Sequence, residues 1–236
     1  MKRKYLLSLA TVGLTSLLPL AAAGGVLAQE PPKVQIPQPG VAQIMNLEGR
    51  YVRVAYNNEG YAILGYRSVQ ASGVGEPWML LEVGFTLRDG VPSYDMTRAA
   101  LSIETTDGTT VPLPSNEEYR KANLMALEAR EKVQRDSINY FPPNASKACR
   151  VGFFAELNQQ AMAWDKVELS DQRACLGRLF FPVPGGIKYG QYWLNVKFAK
   201  SLVRVPFRVL TKEEDKFLEK NYKDIEKQVD EAFKKK

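Results

Sequence analysis

The stretch YGQYWLNVKFAKSLVRVPFRV, residues 189–209, contains two runs in which every second residue is apolar. Successive side chains of a strand point to opposite faces of a sheet, so each run predicts a strand with one buried face. The buried rows are expected to be Tyr192, Leu194, Val196 and Phe198 in the first strand, and Val203, Val205, Phe207 and Val209 in the second. Antiparallel pairing that keeps both rows on one side makes this stretch a hairpin of the protein core.

The pairing of the two strands follows from the same rows. We predict that Phe198 lies opposite Val203 and that residues 199–202 form the loop. The expected pairs on the outer face are Trp193 with Arg208, Asn195 with Pro206, and Lys197 with Arg204. Because proline has no N–H to donate to a neighbouring strand, Pro206 predicts that the second strand lies at a sheet edge or beside an irregularity.

The outer face of this hairpin, which we call the Trp193 face, is the candidate binding surface. It is predicted to carry Tyr189, Gln191, Trp193, Asn195, Lys197, Arg204 and Arg208. Aromatic rings match the apolar C–H patches of sugars, and amide and cationic groups donate hydrogen bonds to hydroxyl or acidic groups, which favours glycan binding. Two structural interpretations compete with this one. The first is a cation–π pair between Trp193 and Arg208, worth about 0.5–1 kcal/mol, and the second is burial of the face beneath a helix.

Short strands with turn residues between them continue through most of the chain. They are predicted at residues 50–56, 61–69, 78–88, 99–105, 110–113, 150–154, 165–169 and 173–181, with 78–88 at the centre of a sheet. This pattern predicts a mainly β domain over residues 45–210, an immunoglobulin-like antiparallel β-sandwich, with a flattened barrel as the alternative.

One helix is predicted inside this β pattern. Ser115 and Glu118 form a capping box, and the residues that follow are rich in good helix formers and contain neither glycine nor proline. We therefore predict a helical insertion at residues 116–136.

A second helix is predicted at the C-terminus, over residues 211–236, after a capping box formed by Thr211 and Glu214. Its apolar stripe consists of Leu218, Tyr222, Ile225, Val229 and Ala232. We expect this amphipathic helix to dock on the protein's own sandwich. Packing against a partner or a second copy, and a loosely ordered tail, are the alternatives.

The N-terminus has the three parts of a secretory signal peptide. Basic residues at positions 2–4 precede an apolar run that ends in a small-residue cleavage pattern at Ala28. We expect residues 1–28 to be removed and the protein to be exported to the periplasm or the extracellular space, with no membrane span after cleavage. An uncleaved anchor is the alternative. The proline-rich residues 29–44 are expected to form an extended tether.

Export changes the interpretation of the two cysteines, Cys149 and Cys175. Disulfides persist in oxidising compartments, so we predict that these residues are bonded to each other. In the chain-entropy model, closing a loop of this length stabilises the fold by about 3.5 kcal/mol. A reactive thiol is the alternative, which the absence of a C-x-x-C motif disfavours.

The chain contains no histidine, which excludes the Ser/His/Asp and Cys/His nucleophilic arrangements and histidine metal sites from it. Any catalysis by side chains of this chain would therefore depend on carboxylates, lysine or tyrosine. The candidate carboxylates are Glu82, Glu104, Asp107, Glu156, Asp165 and Glu168. A glycosidase would need two of them on either side of a cleft.

No cofactor or metal site is predicted. Asp107 and Gly108 form a turn signal, whereas a calcium loop would need several more spaced oxygens. The formal net charge of the chain is +6, and removal of three basic signal residues leaves +3. A net positive charge this small does not favour a nucleic-acid partner.

These features predict an exported, non-enzymatic binding or interaction module of the bacterial cell envelope. Its expected partner is an envelope protein or a glycan, and it is expected to be a monomer or a dimer formed through the C-terminal helix. The alternative is a carbohydrate-binding protein, or a carboxylate-dependent carbohydrate-cleaving one, that uses the Trp193 face. A purely structural envelope component is a third hypothesis.

Overall fold

The structure, a computed structural model, describes residues 44–155 and 162–234. The predicted signal peptide and the predicted tether, apart from its last residue Ile44, lie outside the described residues. The candidate carboxylate Glu156 also lies outside them.

The described residues form twelve strands and four α-helices. The strands are β1 Ile44–Leu47, β2 Val52–Tyr56, β3 Gly60–Gly65, β4 Trp78–Leu87, β5 Tyr94–Thr97, β6 Leu101–Glu104, β7 Thr110–Pro112, β8 Lys147–Val151, β9 Lys166–Leu169, β10 Arg173–Pro182, β11 Gly190–Lys197 and β12 Leu202–Val209. The helices are α1 Arg67–Ser72, α2 Asn116–Lys121, α3 Met125–Val133 and α4 Lys212–Lys234.

The strands form two main sheets. One sheet has the order β1-β2-β3-β4-β10-β8, the other has the order β12-β11-β6-β7, and β5 pairs with β9 separately. Side chains from both main sheets belong to one buried core. Tyr66, after β3, and Phe207 in β12 bring their ring centroids within 5.6 Å. The predicted mainly β, sandwich class is therefore confirmed.

The immunoglobulin-like topology is not confirmed. Strand β8 pairs with β10 in parallel, so the larger sheet is not wholly antiparallel. The predicted disulfide between Cys149 and Cys175 is present and joins residues directly opposite each other in these two neighbouring strands, with their Cα atoms 4.1 Å apart. It therefore fastens an edge strand to its own sheet, whereas the immunoglobulin disulfide connects two sheets.

The central hairpin has the predicted faces and a different register. Both apolar rows are buried, and β12 lies at a sheet edge, as Pro206 predicted. The predicted register is wrong by two residues: Trp193 lies opposite Pro206, and Asn195 lies opposite Arg204. The cause is a tighter turn, in which the Phe198 N–H donates to the Ser201 carbonyl oxygen at 2.8 Å.

Close contact between the two sheets also explains why residue 60 is a glycine. A Cβ atom at Gly60, the first residue of β3, would lie 2.7 Å from Cε1 of Phe198, which directly follows β11 of the other sheet. Only a residue without a side chain leaves room for this ring.

Two sequence predictions fail where the chain changes direction. The predicted strand at 61–69 ends at Gly65, and helix α1 follows, because the Arg67 N–H donates to the distant carboxylate of Asp136 at 2.9 Å. The predicted helix at 116–136 is two helices, separated at Asn123, whose φ of 50° lies in the left-handed region. The capping box of Ser115 is present at the start of α2.

Helix α4 docks on its own domain, as predicted. Its capping box is formed, with the Glu214 N–H donating to the Thr211 hydroxyl at 3.2 Å. Val229 and Phe233 pack against Met45 and Leu47 of β1 in a small cluster beside the main core. None of the helices in the described ranges is both long and apolar enough to cross a membrane.

Candidate functional site

The Trp193 face carries an internal network of polar contacts. The Arg204 guanidinium lies 4.6 Å from the Trp193 ring centroid, and its Nη2 donates to Glu104 Oε2 at 2.5 Å. Its Nε also donates to Asn195 Oδ1 at 3.1 Å. The predicted cation–π partner, Arg208, is therefore wrong, because the true register brings Arg204 beside the indole instead.

Other predicted binding residues of this face also have partners within the protein. Arg208 donates to Glu214 Oε1 through Nε and Nη2, at 3.2 and 2.6 Å. The Gln191 amide donates to the carbonyl oxygens of Tyr192 and Phe207 at 2.7 and 2.9 Å. Lys197 is exposed at the end of β11. The glycan-binding role of this face stays a prediction.

Tyr189 lies apart from this network, on a groove of about 490 Å³ that we call the tyrosine groove. Its side chain is 52% exposed. The lining residues come from distant segments of the chain: Tyr51, Arg67, Gln70, Gly73, Val74, Gln134, Tyr189, Leu210, Lys212 and Asp215. The groove therefore forms where the β1–β2 turn, helix α1, the end of α3 and the start of α4 converge.

One wall of the groove is fixed by the side-chain amide of Gln70. Its Nε2 donates to the Leu210 carbonyl oxygen, and its Oε1 accepts from the Leu210 N–H, both at 2.8 Å. This pair of bonds copies the pairing of two strands, although 140 residues separate the two partners. It holds the end of β12 and the start of α4 against helix α1.

The phenol of Tyr51 fixes a second wall. Its hydroxyl donates to Asp215 Oδ1 at 2.6 Å, and its ring lies 5.0 Å from the Arg67 guanidinium carbon. Burial, and then the neighbouring Asp215 carboxylate, raise the pKa of Tyr51 well above its usual value. The phenol therefore stays neutral and acts as a hydrogen-bond donor at ordinary pH.

Arg67 is held by Asp136 behind the groove. The Asp136 carboxylate accepts from the Arg67 backbone N–H at 2.9 Å and from its Nε at 3.0 Å. Burial raises the pKa of Asp136, although the bonds to Arg67 act in the opposite direction. Nearby, Gln134 Oε1 is buried and accepts no hydrogen bond from a described residue.

A second, larger cleft of about 620 Å³ contains buried carboxylates, and we call it the acidic cleft. Glu82, Glu128 and Asp136 line it and are 8%, 4% and 8% exposed. Arg135, Arg150 and Arg178 line it as well.

The carboxylates of the acidic cleft hold the backbone and side chains around them. Glu82 Oε2 accepts from the Asp136 N–H at 2.6 Å, and Glu128 accepts from the buried Tyr119 hydroxyl. Asp136 in turn holds Arg67. The bond to Glu82 attaches the segment after α3 to strand β4 of the larger sheet, and the bond between Tyr119 and Glu128 joins α2 to α3. The carboxylates of the acidic cleft therefore act as structural anchors.

The other candidate carboxylates are dispersed among the described residues. Glu104 pairs with Arg204, and Glu168 pairs with Arg173 at 2.9 Å. Asp107 accepts from its neighbours Thr105 and Thr109 in the β6–β7 turn. Among these candidates only Glu82 lines the acidic cleft, and no group of three or more metal-ligating side chains occurs in the described ranges.

Sequence reasoning identified Tyr189 and missed the rest of the tyrosine groove. No sequence motif marks the other lining residues Tyr51, Arg67, Gln70 and Gln134. They and their partners lie far apart in the sequence and meet only in the folded chain. A comparison with protein-family models, with curated proteins and with solved structures finds no match.

Proposed function

We propose that this protein is an exported, non-enzymatic binding module of the bacterial cell envelope and that the tyrosine groove is its ligand-contacting surface. The observation that carries the proposal is the exposure of the Tyr189 ring beside a groove whose walls are fixed by long-range hydrogen bonds. Binding sites are typically concave and combine aromatic side chains with a few polar groups that fix the orientation of the ligand.

The fixed walls support binding because they reduce the cost of ordering the site. Gln70 holds Leu210, Tyr51 holds Asp215, and Asp136 holds Arg67 before any ligand arrives. Side chains held in this way lose little conformational freedom on binding, so more of the contact energy contributes to affinity.

The chemistry of the groove supports binding over catalysis. The raised pKa of Tyr51 makes its phenol a poor base at neutral pH, and Asp215 already accepts a hydrogen bond from it. The described carboxylates of the acidic cleft are likewise engaged in anchoring bonds. Export is supported by the signal pattern of residues 1–28, and the disulfide is compatible with an oxidising compartment.

Sedimentation with insoluble envelope material from the source organism tests this proposal. The mature protein should sediment with the material, Tyr189→Ala should remain in solution, and Trp193→Ala should behave as the wild type. Tyr189 is half exposed, so its replacement should leave the melting temperature within a few degrees of the wild type.

The matched variants separate the two candidate surfaces. Sedimentation that depends on Trp193 and not on Tyr189 would assign binding to the Trp193 face and contradict the groove. Sedimentation that neither change affects would contradict the groove as well.

A further inference from the structure

We infer that the ligand of the tyrosine groove is a short, uncharged oligosaccharide, an inference that rests on the proposed function. The groove volume of about 490 Å³ lies within the range of roughly 300–1,000 Å³ that is typical of small-molecule sites. Its lining combines aromatic, amide, cationic and carboxylate side chains, and this combination decides the class of ligand.

Tyr189 and Val74 supply the apolar contact. They are 52% and 42% exposed, and both line the groove. The ring of Tyr189 can cover one C–H face of a sugar, which is apolar, while the hydroxyl groups at the sugar edge point to other walls. Such a contact buries apolar surface of both partners without removing a hydroxyl group from its hydrogen bonds.

Donors and acceptors are both present around this apolar contact. Arg67 uses its backbone N–H and Nε on Asp136, and its Nη groups make no hydrogen bond to a described residue. Lys212 adds an ammonium group, and Asp215 adds carboxylate oxygens. A hydroxyl group both donates and accepts, so a sugar can satisfy Arg67 and Asp215 together.

The mixture of charges disfavours strongly charged ligands. A phosphate or carboxylate group would meet Asp215, and a cationic ligand would meet Arg67 and Lys212. An uncharged ligand with many hydroxyl groups avoids both repulsions.

Gln134 gives an independent indication of a hydrogen-bond donor. Its Oε1 is buried at the wall of the groove without a partner among the described residues. A buried acceptor without a partner is unfavourable, and rotation of this side chain towards the groove would let a bound hydroxyl group satisfy it.

An extended peptide fits this groove less well. Peptides that bind by strand addition need backbone N–H and carbonyl groups at the site. Leu210 lines the groove, but the Gln70 amide already occupies both its backbone N–H and its carbonyl oxygen.

Titration of the mature protein with tri-N-acetylchitotriose, cellotriose and maltotriose, monitored by saturation-transfer NMR and calorimetry, tests the inference. We expect saturable binding of at least one of these sugars. Tyr189→Ala should weaken it about tenfold or more because the ring contact is lost, and Tyr189→Phe, which keeps the ring, should stay within about threefold of the wild type.

Three results would overturn the inference: no saturable binding of any of the three sugars, equal affinity for Tyr189→Ala and the wild type, or, in a parallel titration with a hexaproline peptide, Tyr189-dependent binding of that peptide in place of the sugars. If sedimentation with envelope material still depends on Tyr189 in those cases, the groove remains the binding surface and only the ligand class is wrong. If sedimentation is independent of Tyr189 as well, the proposed function also fails.

Discussion

The carboxylate of Glu59 accepts a hydrogen bond from the Ser201 hydroxyl, with Oε2 and Oγ 2.6 Å apart. Both Glu59 oxygens also lie 3.0 Å from the Lys200 backbone nitrogen, which donates to them. Glu59 belongs to the β2–β3 turn, and Ser201 belongs to the β11–β12 turn. One buried acidic side chain therefore fastens the two sheets together at one end of the sandwich.

Replacement of Glu59 should destabilise the protein strongly. Glu59→Ala leaves the Lys200 N–H and the Ser201 hydroxyl without their acceptor, which is expected to lower the free energy of unfolding by about 2–4 kcal/mol. Urea denaturation measures this change. Asn58→Ala, at the exposed neighbouring position, is the matched control and should cost less than about 0.5 kcal/mol. Equal midpoints for the two variants would show that the Glu59 contact contributes nothing to stability.

The disulfide should stabilise the protein through an edge strand. Cys149 and Cys175 hold the five-residue strand β8 to β10, and no other strand flanks β8 among the described residues. Replacing both cysteines with alanine should lower the free energy of unfolding by about 2–4 kcal/mol. Amide exchange should rise first in residues 147–151, because that strand loses its covalent attachment.

Uniform loss of protection over all strands, with none specific to β8, would argue against this local role. Replacing only Cys149 is not an equivalent experiment, since it leaves a buried thiol at Cys175.

Asp107 should make stability depend on pH. Hydrogen bonds from the Thr105 hydroxyl, and then from Thr109, lower the pKa of Asp107 from 3.8 to about 2. A folded-state pKa below the unfolded value means that the ionised carboxylate stabilises the folded state. This contribution is complete above pH 3.8 and disappears as the pH falls through about 2.

Asp107→Asn tests the direction of this effect. The wild type should be more stable than the variant at pH 7, and the difference should shrink towards pH 2. Urea midpoints at pH 2, 4 and 7 give the comparison, and Asp89→Asn, in another exposed turn, is the control. A difference between the wild type and Asp107→Asn that stays constant across this range contradicts the assignment.

The alternating pattern of residues 192–198 and 203–209 was sufficient to predict two strands and their buried faces. It was insufficient to predict the register, because a shift of two residues leaves every side chain on the same face. The observed turn brings Phe198 to Ser201 instead of Val203, and this difference changes the partner of Trp193 from Arg208 to Arg204. Partners on the outer face depend on turn length, which the apolar rows do not determine.

The helical insertion shows a different limit. The capping box at Ser115 predicted where α2 begins, since it depends on residues three positions apart. No glycine or proline marks the break at Asn123, and asparagine is one of the few other residues that adopt a positive φ. A local pattern could suggest this break only weakly.

The tyrosine groove could not be predicted from the sequence because its parts meet only through tertiary contacts. Arg67 is held by Asp136, 69 residues away, and Tyr51 is held by Asp215, 164 residues away. Sequence patterns act over a few residues, so they identified Tyr189 as an exposed aromatic residue and assigned it to the wrong neighbours.

Gln70 should determine the local order of the groove. Gln70→Ala removes both bonds to Leu210 and is expected to lower the free energy of unfolding by about 1–3 kcal/mol. It should also increase hydrogen exchange at the Leu210 amide. Gln70→Glu keeps an acceptor for the Leu210 N–H and loses the donor to its carbonyl oxygen.

The two substitutions should therefore differ in one measurable respect. Protection of the Leu210 amide should be lost in Gln70→Ala and largely retained in Gln70→Glu, although both variants lose stability. Hydrogen exchange followed by NMR distinguishes them at a single residue. Wild-type protection of the Leu210 amide in both variants would mean that the packing of Leu218 and its neighbours holds α4 and the end of β12 in place. The groove wall would then not depend on the Gln70 amide.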